Sequence, residues 1–267
     1  MPEGDSVFQL SRRLQFMRGR EVLATSLRVP SVALHDFTGH TVHRVWPYGK
    51  HLFMQFGEQI LHTHLKMEGT WAIHRKGDRW RKPGHTARVV LDLSGEQTIE
   101  VVGHSLGFVR VFHASDYPDQ IAYLGPDVLA PEFDDELARI NILARPRRPI
   151  GEALLDQSNL AGVGNEYRAE ICFLMGVHPA TPVGMVDVDQ ALHLTRRLMW
   201  ENRNSPIRVT TGVRRAGESS YVFGRNNKPC RRCGTRIVKA ELGERIIWWC
   251  PRCQPHSSTL GGHETST

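Results

Sequence analysis

The sequence predicts an α+β protein of several domains: a β-sandwich or barrel first, a helical region second and a small cysteine-bound ribbon last. Three observations carry this. Between residues 21 and 113, about eight short alternating or β-branched runs are separated by Gly, Pro and charged clusters. Between residues 134 and 203, apolar residues recur at helical spacing. Four cysteines then form two Cys-x2-Cys pairs. A chain of 267 residues suits about two domains and buries about 70% of its surface without disulfide staples.

The first element is a helix. Val7, Leu10, Leu14 and Met17 recur at spacings of three, four and three, one apolar helical face, and Asp5 stands where an N-cap would. Strands are expected over 21–29, 41–48, 51–56, 59–65, 70–74, 86–93, 97–102 and 108–112. Seven acids and no bases lie between Asp116 and Glu136, together with Pro118, Pro126 and Pro131. Residues 116–136 therefore read as an acidic linker after a first domain of residues 1–115. Helices are expected over 134–144, 150–156, 166–175 and 187–203, and a polar, turn-rich stretch from Asn204 closes a second domain over 137–227. The ribbon occupies 228–254. Residues 255–267, rich in Ser, Thr, Gly and His, have little to bury and are expected to be a disordered tail.

Charge supplies the first functional clue. Lys and Arg number 34 against 28 Asp and Glu, a net of +6, and 14 bases against 4 acids fall between Arg196 and Cys253. This asymmetry points to a polyanion partner; a solvated arginine face is the alternative. No run approaches the roughly 18 apolar residues of a membrane helix, and the acidic start lacks the apolar core of a signal peptide. A cytoplasmic protein with no membrane partner is the expectation.

Cys230 and Cys233, sixteen residues, then Cys250 and Cys253 have the spacing of a zinc ribbon. Four thiolates at the ends of a β-hairpin close a tetrahedral Zn²⁺ site, structural because no position is left for water. Two disulfides are disfavoured in a cytosolic setting. Cys172, between Ile171 and Phe173, reads as a buried small apolar residue. Between the pairs, Arg236, Lys239 and Arg245 accompany Trp248 and Trp249. Either this hairpin lays a base along a DNA groove, or the ribbon only staples the C-terminal region around its tryptophans.

At the other end, removal of Met1 before Pro2 would expose a secondary amine. Such an amine attacks an anomeric carbon when neutral, and the positive end of the following helix favours the neutral form. Glu3 beside it offers proton transfer. A solvated terminus is the plainer alternative.

Pro2-Glu3-Gly4-Asp5, the phrase YGKHLF containing Lys50, the phrase LLDQSNLAGVGNEYRAEICF over 154–173 and the four-cysteine ribbon occur in one order. That combination, spanning residues 2–253, resembles the formamidopyrimidine-DNA glycosylase and endonuclease VIII family. Gly4 after Pro2-Glu3 resembles the endonuclease VIII branch, and the sequence as a whole is similar to actinobacterial endonuclease VIII proteins. The resemblance implies a bifunctional DNA glycosylase and AP lyase of base-excision repair, nucleoid-associated in a bacterial cytoplasm and a monomer. It implies an N-terminal two-layer β-sandwich with flanking helices, a helix-two-turn-helix domain and a C-terminal β-hairpin zinc finger holding one structural Zn²⁺. Damaged DNA, duplex and also single-stranded or bubble, would lie between the domains. A non-catalytic zinc-ribbon DNA-binding protein, or a member with narrowed or lost activity, is the alternative.

The resemblance also assigns roles. Pro2 matches the Schiff-base nucleophile, Glu3 the proton carrier, Lys50 and Asn165 phosphate ligands and Arg245 the zinc-finger arginine. Met67 falls where the family inserts a wedge, and Leu106 would assist it. Backbone amides of the turn Gly162-Val163-Gly164-Asn165 are expected to face a phosphate. As plainer readings, Asn165 is a helix cap, Lys50 a solvated turn charge and Met67 a core residue. The departures are Ser6, where many members carry a second glutamate, and His104 and Ser105, where the purine-type enzymes carry two arginines. The stretch Thr210–Tyr221 is also shorter than its counterpart over an oxidised purine. Together they imply oxidised pyrimidine, hydantoin or ring-fragmented bases as substrates and weak discrimination by the opposite base.

Overall fold

The computed structural model describes residues 2–255; Met1 and the expected tail beyond Pro255 lie outside the described residues. Helix α1 spans Gly4–Arg13 and runs into a 3-10 turn over Leu14–Met17. Val7, Leu10, Leu14 and Met17 are all buried, as their spacing requires. Asp5 is not the cap. Glu3 holds that position, and Asp5 turns inward, bound by Arg208 Nη2 at 2.6 Å.

Eight strands follow: β1 (Val22–Leu27), β2 (Val42–Tyr48), β3 (His51–Phe56), β4 (Gln59–His64), β5 (Thr70–Arg75), β6 (Ala87–Leu93), β7 (Ile99–His104) and β8 (Phe108–His113). They form two antiparallel four-stranded sheets, β1-β6-β7-β5 and β2-β3-β4-β8. Val22, Phe56, Leu61, Leu91 and Val101 meet between the sheets, with Phe37 stacked on Phe56 at 4.4 Å. Each such side chain contributes about 1.5–3 kcal/mol on burial. Strands β3 and β4 are buried on both faces. The outer face of their sheet is covered at Trp46 of β2, Phe53 and Ile60 by Tyr117 and Ile121 of helix α2 (Tyr117–Ile121).

The stretch 116–136 is more than a linker. After α2, Pro126 to Leu129 are buried, and Val128 and Leu129 join the helical core. Asp127 pairs in parallel with Ala161. The helical region comprises α3 (Asp135–Leu143), α4 (Ile150–Ala153), α5 (Asn165–Met175) and α6 (Val188–Asn202). Helix α4 ends earlier than expected, because residues 154–164 form the double turn that delivers the chain to α5.

The ribbon hairpin joins β9 (Val238–Leu242) to β10 (Arg245–Trp249). Trp248 meets Phe223 edge-on at 4.8 Å and Trp249 meets His178 at 4.8 Å, so the tryptophans fasten the ribbon to its surroundings. Gln254 is the last residue of the ribbon. It is fully buried, accepting from Cys250 N at 2.9 Å and donating to Val177 O at 2.8 Å.

The two lobes meet main chain to main chain: Gly4 N donates to Gly162 O at 2.9 Å. Gly49, at the tip of the β2-β3 hairpin with φ of 53°, comes so close that an added Cβ would lie 2.8 Å from Ala161 Cβ. Only glycine accepts both that dihedral and that approach.

Candidate active site and nucleic-acid interface

Glu3 is fully buried. Its carboxylate accepts from Gly164 N at 2.7 Å and from Glu166 N at 2.9 Å, closing the N-terminus of α5. Two amides of the glycine turn expected to face a phosphate are thus engaged by Glu3 or by Gln157, whose Oε1 accepts from Gly162 N at 3.0 Å. A side chain at 164 would collide with Glu3, since an added Cβ would lie 2.3 Å from Glu3 Cδ. Burial raises the Glu3 pKa against the lowering pull of Arg208 and Lys50, so its proton is available nearer neutrality.

Beneath Glu3 lies a charge network absent from the sequence reading. Arg208 grips Asp5 with two bonds of 2.8 and 2.6 Å, reaches Glu166 Oε2 at 2.5 Å and stands 3.7 Å from Glu3. Tyr167 OH donates to Asp5 Oδ2 at 2.9 Å, and its ring lies under the guanidinium at 4.7 Å. Glu166 and Tyr167 belong to a phrase singled out by sequence. Arg208 lies 203 residues from Asp5 and carries no local signal. Pro2 opens onto a recess of about 640 Å³ lined also by Ser6, Gln9, Arg13, Trp71 and Pro206.

Lys50, Asn165 and Arg245, far apart in sequence, line one cavity of about 360 Å³. Tyr48 OH bonds Gly125 O at 3.0 Å and anchors the hairpin that presents Lys50. Burial lowers the Lys50 pKa to about 8. Asn165 is not a cap but the first residue of α5; its amide donates to Ile246 O in β10 at 3.0 Å. Arg168, one turn later and fully buried, bonds Asn165 Oδ1 and donates to the same carbonyl at 2.8 Å. Its Nε and Nη1 have no partner among the described residues. Asn165 and Arg168 thereby hold the ribbon hairpin, and with it Arg245, against the helix.

The four cysteine sulfurs lie within 4.8 Å of one another, with Cys233 and Cys250 at 3.4 Å and Cys230 and Cys253 at 3.9 Å. Zinc–sulfur bonds of about 2.3 Å in a tetrahedron separate sulfurs by about 3.8 Å, so this set fits one Zn²⁺ with four thiolates. The fit leaves no vacant coordination position.

Three family models divide the chain among them. The formamidopyrimidine-DNA glycosylase N-terminal domain matches residues 1–105, the formamidopyrimidine-DNA glycosylase H2TH domain 124–200 and the zinc finger found in FPG and IleRS 227–255. The chain belongs to the formamidopyrimidine-DNA glycosylase and endonuclease VIII family. It is 42% identical to a probable endonuclease 8 2 of Streptomyces coelicolor, over 99% of this chain and 98% of the relative. It is 42% identical to a DNA-(apurinic or apyrimidinic site) lyase Nei2 of Mycolicibacterium smegmatis, over 96% and 100%. Lactococcus lactis Fpg, crystallised with DNA containing N7-benzyl-Fapy-dG, superposes with a TM-score of 0.80 at 20% identity, covering 96% of this chain and all of that one. At that identity the likeness speaks for the fold. This family member is a DNA-repair enzyme of the glycosylase and AP-lyase class with a structural zinc finger. Among the described residues no helix is long and apolar enough to cross a membrane.

Within the enzyme, Met67 is 64% exposed, free of the core its plainer reading required. Leu106 is 8% exposed and packs in the sandwich core against Gly103. The reason is the tight turn after β7, where Ser105 takes φ of 48° and rolls Leu106 inward. His104 is fully buried, its Nδ1 2.9 Å from Thr86 Oγ1, and presents nothing to a base. The loop after Arg208 is pinned from below by Glu170, which accepts from Tyr221, Val222 and Phe223 N at 2.7 to 2.9 Å and from the Thr210 hydroxyl.

Proposed function

We propose that the enzyme removes oxidised pyrimidine, hydantoin and ring-fragmented bases through a Schiff base on Pro2, then cuts the strand by β and δ elimination. The observation that carries this reading is Glu3, dry and with a raised pKa, adjoining Pro2 at the mouth of the recess. The target nucleotide must leave the duplex, at a cost of a few kcal/mol. Lys50, Asn165 and Arg245 offset that cost by gripping the phosphates around it, while exposed Met67 fills the space vacated.

In the reaction the neutral proline nitrogen bonds to C1′ as the bond from C1′ to the base breaks, and the base departs with a proton. Ring opening leaves an iminium, and Glu3 supplies and retrieves the protons. The iminium acidifies the C2′ proton. Loss of that proton expels the 3′ phosphate, and a second elimination expels the 5′ phosphate. Zinc contributes the shape of the ribbon and takes no part in these steps.

Lesion choice follows from what the recess lacks. Ser6 brings no carboxylate to it, and with His104 turned into the sheet, few groups are left to read the opposite base. The enzyme acts as a monomer on nucleoid DNA, tolerates single strands and bubbles, and discriminates weakly by opposite base.

Borohydride should trap the protein on abasic DNA, and an enzyme with its terminal amine blocked should not be trapped. Trapping that survives the block sinks the assignment of Pro2, as does retention of Met1 in the active protein. For lesion choice, single-turnover excision across lesions and opposite bases is decisive. Fast removal of oxidised guanine opposite cytosine alone would overturn the substrate reading.

A further inference from the structure

A second concavity, about 820 Å³, runs along the sandwich between the end of α1 and strand β5. Strand β5 is the outer edge of its sheet. Apolar Phe16, Trp71 and Ile73 line the groove, and so do Arg13, Arg75, Arg79 and Arg81. Asp78 is the one acid lining it, and its Oδ2 already accepts from Arg75 N at 3.3 Å. Residues 75–88 hold six bases and one acid, although the chain outside 196–253 is net acidic.

Arg13 is held by Trp71 O at 2.6 Å, whereas the arginines of the loop are set apart from the structural charges nearby. Lys76 is neutralised by Asp92 at 2.7 Å and Glu100 at 3.2 Å, and the Trp80 indole N–H bonds Glu100. Those contacts tie the loop to the sheet. Arg75, Arg79 and Arg81 make no ion pair among the described residues, and all three are exposed. Arg13 and Trp71 line both this groove and the recess at Pro2, and the bond from Arg13 Nη2 to Trp71 O makes them the wall the two concavities share.

We propose that this groove binds single-stranded DNA leading away from the lesion site. Unpaired arginines select a polyanion. Half-buried Phe16 and exposed Ile73 give the groove an apolar face that favours unpaired bases, free to stack, over a duplex, whose bases are already stacked. The shared wall of Arg13 and Trp71 places that strand beside the nucleotide drawn out for repair. The inference extends the proposed function to the DNA flanking the lesion, and it requires no chemistry at Pro2.

The test uses the full-length protein and an undamaged single-stranded oligonucleotide of about 12 nucleotides, with affinity read by anisotropy over a range of KCl. The double variant Arg79→Glu, Arg81→Glu should lose at least about tenfold in affinity at low salt. Its log–log salt slope should shrink by about 1.4, or 0.7 per lost phosphate contact on a single strand. Arg79→Lys with Arg81→Lys should keep most of the affinity, and Arg18→Glu with Arg147→Glu, reversing two exposed arginines outside the groove, should keep it too. Equal loss in that control pair, or no loss in the groove variant, overturns the proposal; the second result would leave an acidic protein as the occupant. Cleavage of a short abasic duplex is scored separately and should stay within about twofold of wild type in the groove variant. A wild type inactive on that duplex would sink the proposed function while leaving the single-strand measurement intact.

Discussion

The two sides of the N-terminus of α5 handle charge in opposite ways. On the Glu3 side every charge has an internal partner: Arg208 serves Asp5 and Glu166 directly and stands 3.7 Å from Glu3. On the Lys50 side, positive charge is left over. Lys50 and Arg245 make no ion pair among the described residues, and buried Arg168 keeps two nitrogens without partners. The contrast separates a charge network complete among the described residues from a side on which Lys50 and Arg245 stay without an ion pair.

The largest effect that could break this comparison is loss of zinc, because the open side depends on the ribbon to present Arg245. Structural zinc contributes about 10–16 kcal/mol of apparent binding free energy in small peptides. Chelation or Cys233→Ser should unfold the ribbon and remove specific DNA binding, leaving the circular dichroism of the sandwich in place. Normal binding by the metal-free protein would show that the phosphate cavity is not built by the ribbon.

Next in size, removing one partner from the closed side should be severe. Arg208→Ala strands Asp5 and Glu166 in a buried place, at about 3–5 kcal/mol, readable as a lower denaturation midpoint. Glu3→Gln keeps the size but loses the proton and one of the two acceptors that hold Gly164 N and Glu166 N, so base excision should fall about 10²–10⁴-fold while cleavage of preformed abasic sites persists in part. Equal loss of both activities would place Glu3 in binding and not in proton transfer.

Smaller changes are expected on the open side, where each cation is one of several. Arg245→Ala, with zinc retained, should weaken duplex binding and lower the salt slope by about 0.9. Lys50 should give the site a pH dependence. Its folded pKa of about 8 lies below the ordinary lysine value, so the free enzyme loses this charge as pH rises through 8, and binding phosphate must then take up a proton. Affinity should be flat below pH 7 and fall above pH 8, by at most about tenfold per unit; Lys50→Arg should flatten the profile. The sign for folding is also fixed: charging Lys50 opposes the fold, so its penalty is full below the folded pKa and fades as pH climbs from 8 towards the unfolded value. The smallest effect is expected of Met67→Ala, exposed and outside both networks, which should leave stability unchanged and slow excision from duplex more than from single strands.

What the sequence made legible was whatever is written locally. The eight strands follow period-two runs, and the cysteine spacing alone brings four sulfurs together. Lys50, Asn165 and Arg245 were legible as pieces, each inside a recognisable phrase. Asp5 was misplaced because the capping rule sees a short acidic side chain before a helix, whereas an arginine 203 residues away outcompetes the helix amides for it. The burial of Leu106 was not legible for a related reason: one left-handed residue, Ser105, decides which way the next side chain points. Arg208 was invisible, since a lone arginine in a polar stretch looks like any solvated charge. Gln254 sits beside a low-complexity tail and shares its composition, yet its two amide bonds place it with the ribbon.

The glycine seam between the lobes bears on accuracy of assembly. Gly4 touches Gly162, Gly49 rides over Ala161, and Gly164 backs onto Glu3. At Gly4–Gly162 and Gly49–Ala161 the approach runs main chain to main chain, with only the Met199 methyl beside it. The separation between Pro2 and Lys50 at the hairpin tip therefore depends largely on peptide geometry, the stiffest material a protein has. A single methyl group at residue 49 would act as a shim, tilting one lobe against the other. The resulting error would be shared at both ends of the seam: Pro2 and Lys50 would each shift against the other lobe.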